Sequence, residues 1–165
     1  MDVFEAIKNR RSIRSYESKP VEEEKLVSLL EAARLAPSAK NRQNWKFIVV
    51  TEKETIKRLV SACNDQRFIA QAPVVIAGIA NPMLKWYKLD MGIAFEHIAL
   101  HAVELGLGTC WIGAFDERRV STILNVPKHL ETVILMTVGY PRVHPRPTSR
   151  KQMEELVCYD TFTSW

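Results

Sequence analysis

The sequence predicts a three-layer sandwich of helices and strands, of the mixed α/β or α+β class. Helical and strand patterns alternate irregularly along the 165 residues, which favours layers of both kinds of element. A continuous apolar run at residues 73–80 indicates a strand buried on both faces. A long helical pattern at residues 88–105 is apolar over a wide arc, which indicates a helix that is central or packs against a second subunit.

The first elements are two amphipathic helices. Residues 3–9 have helical spacing, with Val3, Phe4 and Ile7 on one face. A second helix begins near Pro20, with glutamates in its first turn, and Pro37 ends it. Its apolar stripe is formed by Leu26, Leu29, Leu30 and Ala33, with Leu35 as a candidate last member.

A strand and a third helix follow this pair. Residues 37–44 form a polar loop, and residues 45–50 are rich in strand-forming side chains. Residues 52–62 then have helical spacing through Ile56, Leu59 and Val60, ahead of the buried strand at 73–80.

The second half of the chain ends in an extended tail. The long helix stops at Gly106 and Gly108, and residues 109–115 form a strand or an extended segment. Asp116 is suited to cap a short helix that reaches residue 124, and residues 131–140 form a strong strand. Pro145 and Pro147 predict an extended tail from about residue 142 to Trp165.

Composition excludes several classes of protein. The chain is long enough for one domain, and its hydrophobic and charged fractions are ordinary for a soluble globular protein. The uncharged stretch 72–84 is too short for a membrane span and contains two prolines. The first residues lack the features of a signal peptide, so a cytoplasmic location is expected. Three scattered cysteines argue against a disulfide framework or a zinc site.

Two basic segments stand out against a net charge of +4. Residues 9–16 contain three arginines and no acid, and residues 140–151 contain three arginines and a lysine, again with no acid. Arginine offers a planar fork of donors for phosphate oxygens, and serine adds a hydroxyl. Residues 9–16 therefore form either a phosphate cradle or a solvated basic turn. Isolated basic segments argue against a broad nucleic-acid surface.

Other candidate chemistries have weaker support. His97 and His101 share one helix face, but the order of residues differs from that of a zinc protease, so histidines satisfied at a helix interface are favoured. Gly106 and Gly108 follow a helix, whereas a dinucleotide-binding loop follows a strand. Ser38 has no base partner in the sequence, and a plain turn explains it.

Five stretches, taken in order, resemble the motifs of the FMN-dependent nitroreductase family. They cover nearly the whole chain, and the five together are specific. They are residues 10–16 (RRSIRSY), 36–47 (APSAKNRQNWKF), 106–113 (GLGTCWIG), 138–141 (VGYP) and the basic pair Arg150-Lys151 ahead of residues 153–157.

The resemblance implies an FMN site at matching positions. The residues that would hold the FMN phosphate are Arg10, Ser12, Arg150 and Lys151, with Arg11 nearby. Those at the pyrimidine edge of the flavin would be Arg14, Asn64 and Arg67. Those lining the flavin from the partner subunit would be Pro37, Ser38, Ala39 and Asn41. Those whose backbone passes near the reactive nitrogen would be Ile112, Gly113 and Ala114. No side chain is expected to be catalytic, because the flavin carries the chemistry.

The resemblance also implies a fold and an activity. The expected fold is an α+β, α/β/α sandwich with a central, mainly antiparallel sheet, and a single FMN-binding domain spanning residues 1–165. The expected assembly is a homodimer with the flavins at its interface. The implied reaction passes electrons from NADH or NADPH through FMN to a small acceptor, such as a nitroaromatic or a quinone, by a ping-pong mechanism.

The sequence differs from the family pattern in two respects, and three alternative functions are considered beside the one that the resemblance implies. Asn44 stands where the family usually has proline, which predicts a looser loop, and the chain is short, which predicts a reduced substrate cap. One rival is another flavin reaction on the same fold, such as reductive dehalogenation or flavin fragmentation. A second rival is a non-enzymatic flavin-binding protein. A third, nucleic-acid binding, would require a steep dependence of affinity on salt.

Overall fold

The computed structural model describes residues 1–163; the last two residues of the predicted tail, Ser164 and Trp165, lie outside the described residues. Its central sheet has four strands in the order β1-β2-β4-β3, and every neighbouring pair is antiparallel. The strands are β1 (Lys46–Val50), β2 (Val74–Ala80), β3 (Gly108–Ile112) and β4 (Glu131–Gly139). The antiparallel pairing, with helices on both faces, confirms the α+β sandwich.

Most helices agree with the sequence prediction to within a residue or two; the exceptions are the second helix, which begins three residues after Pro20, and the short last helix, which lies in the tail predicted to be extended. The helices are α1 (Val3–Asn9), α2 (Glu23–Arg34), α3 (Lys53–Ala62), α4 (Tyr87–Glu104), α5 (Glu117–Ile123) and α6 (Met153–Leu156). Short 3-10 turns occupy Ala39–Asn41 and Arg67–Gln71. Asp116 caps α5 as predicted, because its carboxylate accepts a hydrogen bond from the backbone N–H of Arg119.

The alternation of side chains along β2 divides the core into two layers. Val74, Ile76 and Ala80 face the cluster that includes α2 and α4. Val75, Ala77 and Ile79 face the cluster that includes α3 and α5. Every residue of β2 is buried, which confirms the prediction of a strand covered on both faces.

Helix α4 lies close against the sheet. A Cβ added at Gly78 would lie 2.5 Å from Sδ of Met91 and 2.7 Å from the ring of Phe95, so glycine is required for this approach. On its other side α4 packs on α2, where Nδ1 of His97 lies 3.1 Å from the carbonyl oxygen of Ala32. Nε2 of His101 lies 2.7 Å from Oγ of Ser28 on α2. Both histidines are therefore satisfied at a helix interface.

Several large apolar side chains remain exposed. Val3, Phe4 and Ile7 share one side of α1, as predicted, but 50–71% of each is exposed. Leu35 is 64% exposed, so its candidate place in the buried stripe of α2 is wrong. It follows Arg34, where α2 has already ended, and so leaves the buried face.

The tail begins directly after β4. Residues 142–163 are exposed, and their only helix in the described part of the chain is the short α6. The backbone N–H of Arg142 donates to the carbonyl of Ser15 at 3.0 Å, which holds the start of the tail against the N-terminal segment. None of the helices within residues 1–163 has the length and hydrophobicity that a bilayer crossing requires.

Candidate functional site

Residues 10–14, here called the basic segment, run beside the edge strand β3. Ser12 forms a parallel bridge with Thr109, and the backbone N–H of Ile13 donates to the carbonyl of Thr109 at 2.8 Å. A Cβ added at Gly108 would lie 2.4 Å from Cγ1 of Ile13, so only glycine leaves room for this approach. The backbone of β3 therefore fixes the position of the basic segment.

Tyr16 anchors the same segment from inside the protein. Its side chain is buried, and its hydroxyl donates to the carbonyl of Ile13 at 2.7 Å. The hydroxyl oxygen also lies 2.7 Å from Oγ1 of Thr137 on β4. Burial raises the pKa of Tyr16 far above its ordinary value, so the hydroxyl keeps its proton and remains a donor.

The three arginines of the basic segment have different surroundings. Nη1 of Arg11 donates to the carbonyls of Lys8 and Arg10 at 2.7 Å each, at the C-terminal end of α1. Nε of the half-buried Arg10 lies 3.8 Å from Oε1 of Glu96 on α4. Arg14 is exposed, and its guanidinium carbon lies 5.9 Å from the centre of the Phe68 ring. Arg14 is therefore the arginine most free to meet a ligand.

The buried thiol of Cys110 on β3 has a pKa that the basic segment affects. Burial raises the pKa of Cys110, while the charges of Arg14 and Arg10 and a hydrogen bond with Ser12 oppose the rise. Three of the predicted cofactor residues, Arg10, Ser12 and Arg14, therefore lie on one segment, which the contacts of Ser12 and Ile13 with Thr109 hold beside the edge strand.

A turn of small, exposed residues follows the end of β3. Ile112 is buried, whereas Gly113 and Ala114 are exposed. A Cβ added at Gly113 would meet only the Cδ1 atom of Ile134, at 3.8 Å, so the backbone here faces open space. A flat ligand could therefore approach the backbone of this turn closely.

A second loop supports this turn. Nε2 of Gln66 donates to the carbonyl of Ala114 at 3.0 Å and to the carbonyl of Cys63 at 2.9 Å. The predicted residues Asn64 and Arg67 flank this glutamine and are exposed, and Asn64 has a φ of 54°. The structure therefore joins the loop that contains Asn64 and Arg67 to the turn after β3 through Gln66 and Ala114.

A groove of about 410 Å³ opens beside Arg10 and Arg11. Its other walls come from the turn after α4, the start of β3 and the start of the tail, including Gly106, Gly108, Pro141, His144, Pro145 and Pro147. Two arginines therefore border a space of the size needed for an anionic group.

Residues 37–41 lie elsewhere, at the start of α4. The backbone N–H of Ala39 donates to Oδ1 of the buried Asp90 at 3.0 Å. Pro37, Ser38 and Ala39 border a shallow pocket with Trp86 and Leu89. Within the described residues, no hydrogen bond of this loop reaches the basic segment. The two halves of the predicted cofactor site are therefore separate within one chain.

Asn44 replaces the proline of the family motif with a pair of hydrogen bonds. Its Nδ2 donates to the carbonyl of Asn81 at 3.2 Å, and its Oδ1 accepts from the backbone N–H of Asn81 at 3.4 Å. The loop is therefore tied to the end of β2 at this point, which proline could not provide.

In the second basic segment, residues 140–142 contact the N-terminal part of the chain, but the guanidinium of Arg150 makes only local hydrogen bonds. Arg150 and Lys151 are exposed, and Nη1 of Arg150 donates to Oγ1 of Thr148 and to the carbonyls of Thr148 and Ser149. Within residues 1–163, neither side chain contacts the basic segment of its own chain.

Sequence reasoning missed four residues that shape the site. Asp90 fixes the loop at 37–41, and Glu96 meets Arg10. An acid in the first turn of a strongly apolar helix was a signal for Asp90, since a buried carboxylate needs a partner. No local pattern could have identified Gln66, which supports Ala114, or the spatial role of Gly108.

Comparisons with known proteins show which family this chain resembles. The model of the nitroreductase family matches residues 7–73 and 60–140. A protein of Methanothermobacter thermautotrophicus, provisionally named NADH dehydrogenase/NAD(P)H nitroreductase, is 36% identical over 153 residues, which cover 88% of this chain and 80% of the relative. The FMN reductase (NAD(P)H) of Bacillus subtilis is 29% identical over 185 residues, which cover 98% of this chain and 74% of the relative. The solved structure of an FMN-dependent nitroreductase from Clostridium difficile is similar at a TM-score of 0.88, with 32% identity, and the match covers 95% of this chain and 98% of that one.

Proposed function

The chain belongs to the nitroreductase family, and from that premise we propose that it is an NAD(P)H-dependent FMN oxidoreductase. One observation carries the proposal. The basic segment lies along β3, and the exposed backbone of Gly113 and Ala114 follows the end of the same strand. A phosphate site and a surface for a flat ring therefore share one edge of the sheet.

The residues present fit FMN. Arg10 and Ser12 would hold its phosphate beside the groove of about 410 Å³, with Arg11 nearby. Arg14, Asn64 and Arg67 would meet the pyrimidine edge, and the backbone of residues 112–114 would face the ring. The open space at Gly113 supports this fit, because no side chain fills the position where the ring would lie.

The chemistry that FMN supplies when bound is the transfer of electrons from a reduced nicotinamide to an acceptor in two half-reactions. Within that scheme the residues of the chain would position the flavin and set the electrostatic environment of its ring. Arg14 would place a positive charge at the pyrimidine edge, which favours the more negative, reduced state of the ring. Phe68, lying against the Arg14 guanidinium, would hold that charge in place. The small residues at 113 and 114 would leave room for a nicotinamide or an aromatic acceptor, in turn, on the exposed side.

The proposed active form is a homodimer of a single FMN-binding domain, residues 1–165, with its tail from about residue 142. In this arrangement the loop that contains Pro37, Ser38, Ala39 and Asn41 lines the flavin of the partner, and Arg150 and Lys151 complete the phosphate site. Exposed large apolar side chains in two places support such an interface, because exposed apolar patches mark contact sites. They are Val3, Phe4 and Ile7 on α1 and Trp86 and Leu89 near the start of α4.

Visible absorption of the purified protein tests the proposal. We expect flavin bands, either as isolated or after adding FMN, that bleach when NADH or NADPH is added without oxygen. Reoxidation by a nitroaromatic or a quinone would then identify the acceptor class. A protein that takes up no FMN would overturn the assignment, and a bound flavin that no nicotinamide bleaches would favour a flavin store. Release of halide from a haloaromatic, or breakdown of the flavin itself, would favour the other reactions of this fold.

A further inference from the structure

A groove rich in arginine lies on the face of the sheet opposite α4. Helices α3 and α5 form its walls, and its volume is about 400 Å³. The arginine groove consists of Arg58, Ser61, Arg118, Arg119, Thr122 and Ile123. Neither of the two basic segments takes part in it, and the predicted FMN site uses none of these residues.

Within the described residues, the three guanidiniums of the arginine groove, those of Arg58, Arg118 and Arg119, are not directly paired with carboxylates. Nη2 of Arg119 donates to Oγ of Ser61 at 3.0 Å. Three cations that share a groove repel one another, so a bound anion would be stabilised there.

The neighbouring acids already have partners. The carboxylate of Asp116 accepts from the backbone N–H of Arg119 at 3.1 Å, as the cap of α5. Oε1 of Glu117 accepts from the hydroxyl of Ser121 at 2.7 Å. Oε1 of Glu54 lies 2.6 Å from Nζ of Lys57. The guanidiniums of the groove are therefore free to bind an external anion.

The arginine groove lies next to the two loops that flank the proposed flavin position. Arg118 follows Ala114 by four residues, and Ser61 precedes Asn64 by three. The backbone N–H of Asp116 donates to the carbonyl of Ala62 at 2.8 Å, which joins the start of α5 to the end of α3. The groove is therefore formed by the two helices that adjoin these loops.

We propose that the arginine groove binds the 2′-phosphate of NADPH, so that NADPH is the preferred electron donor. This inference rests on the proposed function, because the nicotinamide must reach the turn at 113–114. The 2′-phosphate is a phosphate monoester with three terminal oxygens, which matches the forked guanidinium donors of Arg58, Arg118 and Arg119. NADH has only a hydroxyl at this position and gains no contact with the three charges.

The test compares the wild-type protein with Arg118→Ala/Arg119→Ala, with Arg58→Ala as a second variant. Lys128→Ala is the matched control, because it removes one exposed cation outside the groove. The first measurement is the KM of each protein for NADPH and for NADH in anaerobic flavin reduction. The second is calorimetric binding of two probes, adenosine 2′,5′-bisphosphate and adenosine 5′-monophosphate, which needs no turnover. Thermal unfolding identifies any variant that does not fold.

We expect the double variant to raise the KM for NADPH about tenfold or more, since hydrogen bonds to charged groups are strong, and to leave the KM for NADH within about twofold. Arg58→Ala should act in the same direction, and Lys128→Ala should change neither value. The wild-type protein should bind the bisphosphate more tightly than the monophosphate, and the double variant should lose that difference.

Two results would overturn the inference. Equal increases in KM for both donors would assign the groove to the pyrophosphate that they share. Unchanged values for a folded double variant would show that no donor phosphate reaches the groove. The probe titration separates this failure from failure of the proposed function: tight bisphosphate binding in a protein whose flavin is not reduced would support the groove and reject the oxidoreductase.

Discussion

The two basic segments carry the same signal in the sequence but are held in different ways. Residues 10–14 are bridged to β3 through Ser12 and Ile13, and the buried Tyr16 secures them from inside. Residues 142–151 are exposed throughout; the backbone of Arg142 is hydrogen-bonded to Ser15, but the guanidinium of Arg150 binds only its own neighbours. A run of arginines therefore predicts anion binding equally well in both places, but only the first run has its geometry decided within one chain.

The difference comes from the apolar residues that accompany each segment. Ile13 and Tyr16 are almost fully buried, so burial of apolar surface stabilises the position of Arg14 between them and of the segment that precedes them. In the tail, Val143, Met153 and Leu156 remain more than half exposed. The tail can gain comparable stabilisation only against another surface, and the proposed dimer offers one.

The largest expected effect concerns the contact that holds the first segment. We expect Gly108→Ala to reduce the free energy of unfolding by about 3 kcal/mol, because the added Cβ meets Ile13 in a closely packed site. FMN affinity should fall with it, since the basic segment must move. Chemical denaturation and a flavin titration measure the two effects.

Gly92→Ala is the matched control for that substitution. A Cβ at position 92 meets nothing within 4 Å and lies inside α4, so the change should stabilise the protein by about 0.5–1 kcal/mol. If Gly108→Ala were as well tolerated as Gly92→Ala, the close packing of the basic segment on β3 would not matter for the fold.

The next largest effect is expected when the hydroxyl of a tyrosine near one or the other segment is removed. We expect Tyr16→Phe to cost about 1–2 kcal/mol of unfolding free energy, because the buried carbonyl of Ile13 loses its donor. Tyr159→Phe, in the exposed tail, should cost almost nothing. Denaturation curves at neutral pH measure both, and an equal cost at the two positions would contradict the contrast between anchored and free segments.

A smaller effect on FMN affinity is expected when one arginine of either segment is replaced. Arg10→Ala and Arg150→Ala should each weaken FMN binding by about tenfold, or about 1.4 kcal/mol. Only Arg10→Ala should also lower the thermal stability of the FMN-free protein, because it leaves the partly buried Glu96 without its cation. Fluorescence titration and thermal unfolding give the two values. Unchanged FMN affinity in Arg150→Ala would show that Arg150 of the tail does not contribute to the phosphate site.

The smallest effect is a dependence of stability on pH where the tail begins. A hydrogen bond from Tyr140, with the charges of Lys19 and Lys25, lowers the pKa of Glu22 from 4.5 to about 2. The pKa is lower in the folded state, so this contribution is present above pH 4.5 and is lost as pH falls towards 2. Glu22→Gln should reduce the change in the free energy of unfolding as pH falls from 4.5 towards 2, which denaturation at several pH values would measure. An unchanged dependence on pH would show that this carboxylate does not contribute.

Local patterns predicted most of the fold. Apolar spacing and the glycines and prolines that punctuate it gave the bounds of α1, α3, α4 and β2, because these signals act within one element. The same patterns could not place Leu35, whose exposure depends on where the backbone of α2 turns away from the core. They also could not order the sheet, in which β4 lies between β2 and β3.

The candidate site, like the fold, could be predicted only in part from the sequence. The resemblance identified the residues of the basic segment, and the structure holds that segment beside β3 through Ser12 and Ile13. Asp90 and Gln66 were missed, because a residue that supports a distant loop carries no motif of its own.

The sequence by itself determined the elements, the two basic segments and the small residues at 113 and 114, since each of these is a property of neighbouring residues. Only the tertiary structure decided that Ile13 lies against Gly108, that Gln66 holds Ala114, and that Arg58 meets Arg118 and Arg119 in one groove. The physical reason is that such contacts join residues far apart in the chain, and their geometry follows from how complete helices and strands pack together.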